Sequence, residues 1–173
     1  MKPKSKPNLS VVLVGGLLAT PAMTVLMYML APVFGINTDI VAMLGEVLGG
    51  WKMGMLIHIL NGAVIFPAIF AFLFYRFLPG PPIVEGIGFG LVLWLTSQAI
   101  VMPIMGAGFF SARIGGLKAV IASLLGHAVY GGLLGLACLV QFLAQEDSAG
   151  RTVPAVVPLC PNTARSAPKR SRF

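Results

Sequence analysis

The sequence predicts an all-α membrane protein with four transmembrane helices, and three observations lead to this fold class. The 173 residues are 57% hydrophobic, with a mean hydropathy of +0.92. Only 10% of them are charged, which is too few to cover the surface of a water-soluble domain. Four runs without Asp, Glu, Lys or Arg each reach the roughly 20 residues that a helix needs to cross the hydrocarbon. Because lipid offers no hydrogen bonds, the backbone of these runs must be helical.

The charge-free runs place the four helices and divide the chain into two parts. The first run follows a lysine-rich start, but it is too long for a signal peptide and lacks a convincing cleavage site, so we interpret it as a helix. The transmembrane domain occupies residues 1–145. Residues 146–173 form a basic tail containing Pro, Ser and Arg, which we expect to be disordered. The helices are predicted near Leu9–Leu30, Met53–Phe77, Ile87–Met105 and Leu117–Leu143.

Basic residues predict the orientation, because cytoplasmic segments of membrane proteins are enriched in Lys and Arg. Most of the 12 Lys and Arg residues lie in the N-terminal segment, the second loop and the tail. Both termini are therefore expected in the cytoplasm. The net charge of +7 is then a topology signal with some attraction to anionic lipid, and it gives no reason to expect a nucleic-acid partner.

The chain also contains a short extra helix and an internal repeat. The segment TDIVAMLGEVLGG predicts a short helix with Thr38 or Asp39 as its N-cap, lying at the outer membrane surface or tucked under it. The segment GLLATPAMTVLMYMLAPVFG and the following helix with His58 align with GLVLWLTSQAIVMPIMGAGFF and the following helix with His127. Two helices return the chain to its starting side, so the two repeats share one orientation about a pseudo-two-fold axis along the membrane normal.

Several short motifs resemble one family. DIVAMLG, HILNG, LPGP, VMPIMGAGFFS and LLGHAVYG, in this order, resemble a family of small four-helix bacterial inner-membrane proteins that is carried as a domain of unknown function. The resemblance covers roughly Leu9 to Leu143 and leaves out the tail. It implies the four-helix fold and a bacterial inner membrane, and it implies no established activity.

The only two histidines of the chain occur in the same local setting. Each is followed three residues later by a polar side chain, and each has small residues four positions before and after it. A helix places these positions on one face, so each imidazole should project from a smooth strip. The histidines and their neighbours are His58 with Gly54, Asn61 and Gly62, and His127 with Ser123, Tyr130 and Gly131.

This pattern supports the hypothesis that His58 and His127 are the axial ligands of a b-type haem. Counting about 1.5 Å per residue from the nearest lysine, both histidines lie roughly 9–14 Å below the same membrane surface. Imidazole is a good iron ligand, and small neighbours would leave clearance for a flat macrocycle. Asn61 and Tyr130 could then bond a propionate or the partner imidazole. The protein would be an accessory subunit of a respiratory or redox membrane complex, or would form a homo-oligomer.

Three alternatives stay open. The histidines with Met55, one turn before His58, could hold copper as His and thioether ligands. The polar residues of the helices could line a path for a metal or a proton. A third possibility is a cofactor-free assembly subunit, in which small residues pack the helices and a buried histidine bonds across the bundle, for example to Thr20, Thr24, Thr96, Ser97 or Gln98. An enzyme is not expected, because the intramembrane histidines have no acid partner in the predicted helices.

Overall fold

The computed structural model describes residues 7–36, 39–77 and 80–150, and these ranges contain helices but no strands. The all-α fold class is confirmed. Four of the five helices are long and apolar enough to cross a membrane, so the predicted spans are confirmed as well. The helices are α1 (Leu9–Phe34), α2 (Ile40–Leu48), α3 (Trp51–Phe74, continued by Tyr75–Phe77), α4 (Pro82–Ile104) and α5 (Leu117–Gly150).

Two helix ends differ from the expected bounds. Helix α4 begins at Pro82, five residues before the predicted start, because Pro81 is extended and a proline suits the first helical position. Helix α5 runs to Gly150, so the first residues assigned to the tail are helical. The rest of the tail, residues 151–173, lies outside the described residues.

The four spanning helices are antiparallel to their neighbours in the order α3, α1, α5, α4 around the bundle. We call the end formed by α2 and the 105–116 loop the loop face. The opposite end, where α1 begins, is the terminal face. At the terminal face, the backbone N–H of Asn8 donates to the Gln141 side chain at 2.8 Å, which ties the start of α1 to α5.

Glycines bring α4 and α5 into backbone contact. A Cβ on Gly86 or on Gly131 would collide with the other residue's carbonyl oxygen, and a Cβ on Gly90 would collide with the carbonyl of His127. Membrane helices associate through such small residues, because close backbone approach maximises van der Waals contact. The glycine spacing, considered above as a structural alternative, therefore does pack helices at this seam.

Helices α3 and α4 pack on each other mainly near the terminal face. There Phe89 of α4 lies against Phe70 and Phe74 of α3, with ring centroids 5.3 and 5.0 Å apart. Toward the loop face these two helices have few backbone contacts. The terminal half of the bundle is thus a filled core, and the loop half is more open. The buried residues of this filled core are Val12, Ala19, Phe70, Tyr75, Phe89, Tyr130, Leu134 and Cys138.

Wide helical turns occur in α3 and α4 just before a proline. The N–H of Phe66, which precedes Pro67, donates to the carbonyl of Asn61, and the N–H of Met102, which precedes Pro103, donates to Ser97. These bonds span five residues and define π turns over Asn61–Ile65 and Ser97–Val101. A second π turn follows in α3 over Phe70–Phe74. Such turns widen a helix locally and are frequent at functional sites.

Helix α2 lies against α3 at the loop face. The Asp39 side chain accepts from the backbone N–H groups of Val41 and Ala42, which makes it the N-cap, as the sequence predicted. The alternative cap, Thr38, lies outside the described residues. A Cβ on Gly54 would collide with the backbone of α2, so this glycine allows the short helix to dock tightly.

Candidate functional site

A cavity of about 400 Å³ lies in the loop half of the bundle, and both histidines line it. It reaches from Tyr130, at the top of the packed core, to Ile40 and Leu44 of α2, which close the end toward the loop face. Its volume is within the range of small-molecule sites, which is about 300–1,000 Å³. Apolar side chains form most of the wall, and no Asp, Glu, Lys or Arg of the described ranges contributes to it.

The ring of His58 is held by a neighbouring helix. Its Nε2 lies 2.9 Å from the hydroxyl of Thr24 on α1. That hydroxyl donates its single proton to the carbonyl of Thr20, at 2.8 Å. In this arrangement the hydroxyl accepts from His58, so Nε2 carries the proton and Nδ1 keeps the lone pair. Thr24 is one of the five partners that the cofactor-free alternative offered for a buried histidine.

The ring of His127 is held by its own helix. Its Nδ1 lies 2.8 Å from the backbone carbonyl of Ser123, one turn earlier, and 3.4 Å from the Ser123 hydroxyl. A carbonyl can only accept, so Nδ1 carries the proton and Nε2 keeps the lone pair. Metal-ligating histidines commonly use this arrangement, because the bond to the backbone fixes the tautomer and the ring orientation.

Two side-chain amides add polar groups to the apolar wall. Gln98, in the π turn of α4, is 1% exposed, and its Oε1 accepts from the Ser111 hydroxyl at 2.8 Å. Asn61, at the start of the first π turn of α3, also lines the cavity. Within the described residues, the Gln98 Nε2 group and the Asn61 side chain make no protein hydrogen bond shown by the structure. A polar ligand could therefore satisfy them at little cost.

The structure brings most of the predicted site residues together. The cavity wall includes His58, Asn61, Gly62, Ser123, His127 and Tyr130. Tyr130 is engaged elsewhere, since its hydroxyl donates to the carbonyl of Gly62 at 2.6 Å and joins α5 to α3. Gly54, Gly131 and Met55 do not line the cavity. Gly54 packs against α2, and Gly131 packs against α4.

Sequence reasoning missed other polar residues that the fold buries. The sequence did not predict the hydrogen bond between Gln98 and Ser111. The only signal for it was the glycine-rich loop that follows the polar segment of α4. Glu85 precedes the predicted start of the third span at Ile87, but it lies in the first turn of α4 and is 1% exposed. Helix α4 therefore contains an acid that the predicted bounds of this helix left out. Glu85 lies toward the terminal face and does not line the cavity with the histidines.

Four apolar spans around an internal cavity define a multi-pass membrane protein whose helices contact lipid. The model of one family, described as a family of unknown function (DUF6789), matches residues 8–149. The chain belongs to this family, which confirms the resemblance to a domain of unknown function. Neither the curated proteins nor the solved structures contain a match to the chain.

Proposed function

We propose that the protein binds a neutral, membrane-soluble small molecule in the cavity, and that His127 recognises it. One observation carries the proposal: both histidines and two amides line a single uncharged cavity in the loop half of the bundle. The Nε2 lone pair of His127 is a preset acceptor, because Nδ1 is bonded to the helix backbone. We place this protein as an accessory subunit of a redox membrane complex, in a bacterial inner membrane with both termini in the cytoplasm.

The chemistry of the wall favours a neutral ligand over an ion. A charged group inside hydrocarbon needs an opposite charge or many hydrogen bonds, and the described wall offers no charged side chain. Apolar residues suit the body of an amphiphile, and the imidazole and amide groups suit its polar atoms. The same polarity pattern disfavours a pathway for a hydrated metal ion.

The packing pattern favours entry from the lipid. The core of the terminal half blocks one end of the cavity, and α2 covers the other. The contacts between α3 and α4 are limited and lie mainly in the terminal half. A ligand dissolved in the bilayer would therefore enter sideways between these helices, near the π turns that begin at Asn61 and Ser97.

A substitution that fills the cavity tests the proposal. Ser97 lines the cavity, whereas Ile100 of the same π turn is 54% exposed on the outside of the bundle. Ser97→Phe should fill the cavity, and Ile100→Phe is the matched control. Organic extracts of the purified proteins, compared by mass spectrometry, should contain a compound in the wild type and the control that Ser97→Phe lacks. Equal content in all three proteins would contradict the proposal and favour the cofactor-free assembly subunit.

A b-type haem is the second candidate, and the geometry of His127 favours it. Its free Nε2 is suited to bind iron, while Nδ1 donates to the Ser123 carbonyl. His58 fits less directly, because its Nε2 is bonded to Thr24 and that bond would have to break before it could be the second axial ligand. The propionates would also need cations from outside the described wall. Haem, if bound, would supply one-electron chemistry.

A visible spectrum separates the two candidates. For a b-type haem, the dithionite-reduced minus air-oxidised spectrum of protein expressed with haem supplied should show sharp α and β bands, which His127→Leu removes. A flat spectrum from folded protein would eliminate haem and leave the neutral ligand.

The copper alternative is not supported by the position of Met55, its predicted thioether ligand. Met55 does not line the cavity, whereas Met23, Met27 and Met102 do. In the part of the chain that the structure describes, no three His, Cys, Asp or Glu residues cluster as a metal site. Copper analysis of the same extracts would show whether the His and Met side chains of the wall bind this metal.

A further inference from the structure

The turn that follows α4 adopts a strained backbone at two residues that are not glycine. Phe110 has φ 51° and Ser111 has φ 53°, values that L side chains rarely adopt. The glycines Gly106, Gly108, Gly115 and Gly116 take the other positive-φ positions of this loop, so the strain is confined to these two residues. Such strain persists only where surrounding contacts enforce it, and it often marks a functional element.

The contacts that hold this turn converge on Ser111. Its backbone N–H donates to the carbonyl of Gly108, and its own carbonyl accepts from Gly116 at 2.9 Å. The side chain is 1% exposed and lines the cavity. Its hydroxyl donates to Oε1 of Gln98, so the strained conformation delivers a hydrogen bond to the cavity wall.

This bond fixes which atoms Gln98 presents to a ligand. Its amide oxygen is engaged by Ser111, which leaves the Nε2 group as the part available to the cavity. That group has two N–H donors and no acceptor. His127 is the opposite case, since its Nε2 offers an acceptor and no donor. The cavity therefore has a donor end at Gln98 and an acceptor end at His127.

The two ends can be bridged by one small molecule. Gly90 packs against the backbone of His127, and Gln98 follows eight residues later, which is about 12 Å along the helix axis. Side chains on a helix lean toward its N-terminus. Because α4 and α5 are antiparallel, Gln98 leans toward the terminal face and His127 toward the loop face. The two side chains thus lean toward each other across the cavity.

We propose that the ligand is a hydroquinone, and that Ser111 is the positioning residue that makes Gln98 its oxygen-binding group. This inference rests on the proposed function of the cavity. One ring hydroxyl donates to Nε2 of His127, and the oxygen of the other accepts from the Gln98 amide. The oxidised quinone has two carbonyl oxygens and no donor, so it can use Gln98 but not His127. The site therefore distinguishes the two oxidation states by hydrogen bonding, and only binding is proposed here.

Titration of the full-length protein in lipid nanodiscs tests this under anaerobic conditions, with durohydroquinone and duroquinone as the probes. Discs with Ser97→Phe report the partition of each probe into lipid. The wild type should bind durohydroquinone about tenfold more tightly than duroquinone, because one more hydrogen bond forms. His127→Leu should remove this preference, and Gln98→Met should weaken both forms about tenfold.

Two variants of the turn separate the hydrogen bond from the strain. Ser111→Gly and Phe110→Gly each relieve one left-handed residue, but only the first removes the hydroxyl. Ser111→Gly should weaken binding of both probes about tenfold, as should Ser111→Ala, whereas Phe110→Gly should bind like the wild type. Wild-type binding by Ser111→Ala, or an equal loss in Phe110→Gly, would overturn the role of Ser111.

The outcomes also separate this inference from the proposed function. If neither probe binds above lipid partition, while a compound sensitive to Ser97→Phe is still extracted, then the hydroquinone assignment is wrong and the cavity remains a binding site. If no such compound is extracted and neither probe binds, both proposals fail.

Discussion

His58 and His127 occupy equivalent positions in the two repeats, yet different parts of the fold hold their rings. His58 donates from Nε2 to Thr24 of the neighbouring helix, whereas His127 donates from Nδ1 to a carbonyl of its own helix. The first bond fastens α3 to α1. The second makes no connection between helices and instead orients the ring. Similar local sequence has therefore produced one histidine that joins helices and one that presents a lone pair to a cavity.

The small residues that follow the two histidines differ in the same way. Gly131 contacts the backbone of α4, which cannot move without shifting a helix. Gly62 lies against the side chain of Thr20, which is a softer neighbour. In the repeat with His127, the backbone contact of Gly131 is rigid, and Nε2 of the histidine is available to a ligand. In the repeat with His58, the histidine itself supplies part of the packing.

The largest expected effect is on stability at these two glycines. Gly131→Ala should destabilise the folded bundle by about 3 kcal/mol, because the new methyl group collides with the Gly86 carbonyl. Gly62→Ala should cost about 1–2 kcal/mol, since the Thr20 side chain can adjust. Unfolding in mixed micelles measures both. Equal losses of stability would mean that the contacts of Gly131 and Gly62 are equally rigid. That result would contradict this difference between the two histidine-bearing helices.

Replacement of His127 should reduce ligand binding more than replacement of His58. His127→Leu should lower the amount of the extracted cavity compound more than tenfold, because the preset acceptor is lost. His58→Leu should lower it no more than about threefold, because this ring is engaged by Thr24. Mass spectrometry of the extracts, normalised to folded protein, provides the measurement. The reverse order of effects would assign recognition to His58.

A smaller effect is expected from the groups that hold the rings. Thr24→Val removes the acceptor of the His58 N–H and should cost about 1 kcal/mol of stability. Ser123→Ala should change the stability by less than about 0.5 kcal/mol, because the close partner of His127 is a backbone carbonyl that alanine keeps. The mixed-micelle assay applies again. A large cost in Ser123→Ala would show that its hydroxyl, 3.4 Å away, holds the ring.

The last prediction concerns the tautomers of the two histidines in the wild-type protein. At a pH where both rings are neutral, nitrogen-15 NMR of histidine-labelled protein should show a protonated Nε2 for one histidine and a protonated Nδ1 for the other. His58→Leu should remove the first set of signals, and His127→Leu the second. Identical tautomers for both histidines would contradict the difference described here.

Much of the fold follows from the sequence because the bilayer is a simple solvent. Charge-free runs predicted all four spans, and Asp39 marked the start of α2. The start of α4 was missed because Glu85 ended the charge-free run, although the fold buries this acid inside the helix. A single charged residue strongly lowers the mean hydropathy of a sequence segment. The free energy of burying that residue, however, depends on neighbours in the fold that lie outside the segment.

The candidate site was predicted in part. The spacing of His58, Asn61, His127 and Tyr130 predicted a shared site, and all four residues line one cavity, while their role in binding stays a prediction. Periodicity could not reveal that Tyr130 bonds to Gly62, because that contact joins residues 68 apart in sequence. It also could not connect Gln98 with Ser111, since the strained turn between them depends on the loop conformation.

The sequence alone determined that this chain forms apolar helices, how many there are, and which faces carry its few polar groups. These properties depend on local composition and on the helical period, both of which act within a few turns. Only the tertiary structure decided that α3 and α4 separate toward the loop face, that a cavity lies there, and which nitrogen of each histidine is free. Those features depend on contacts between distant segments, and two similar local sequences can therefore acquire different partners and different roles.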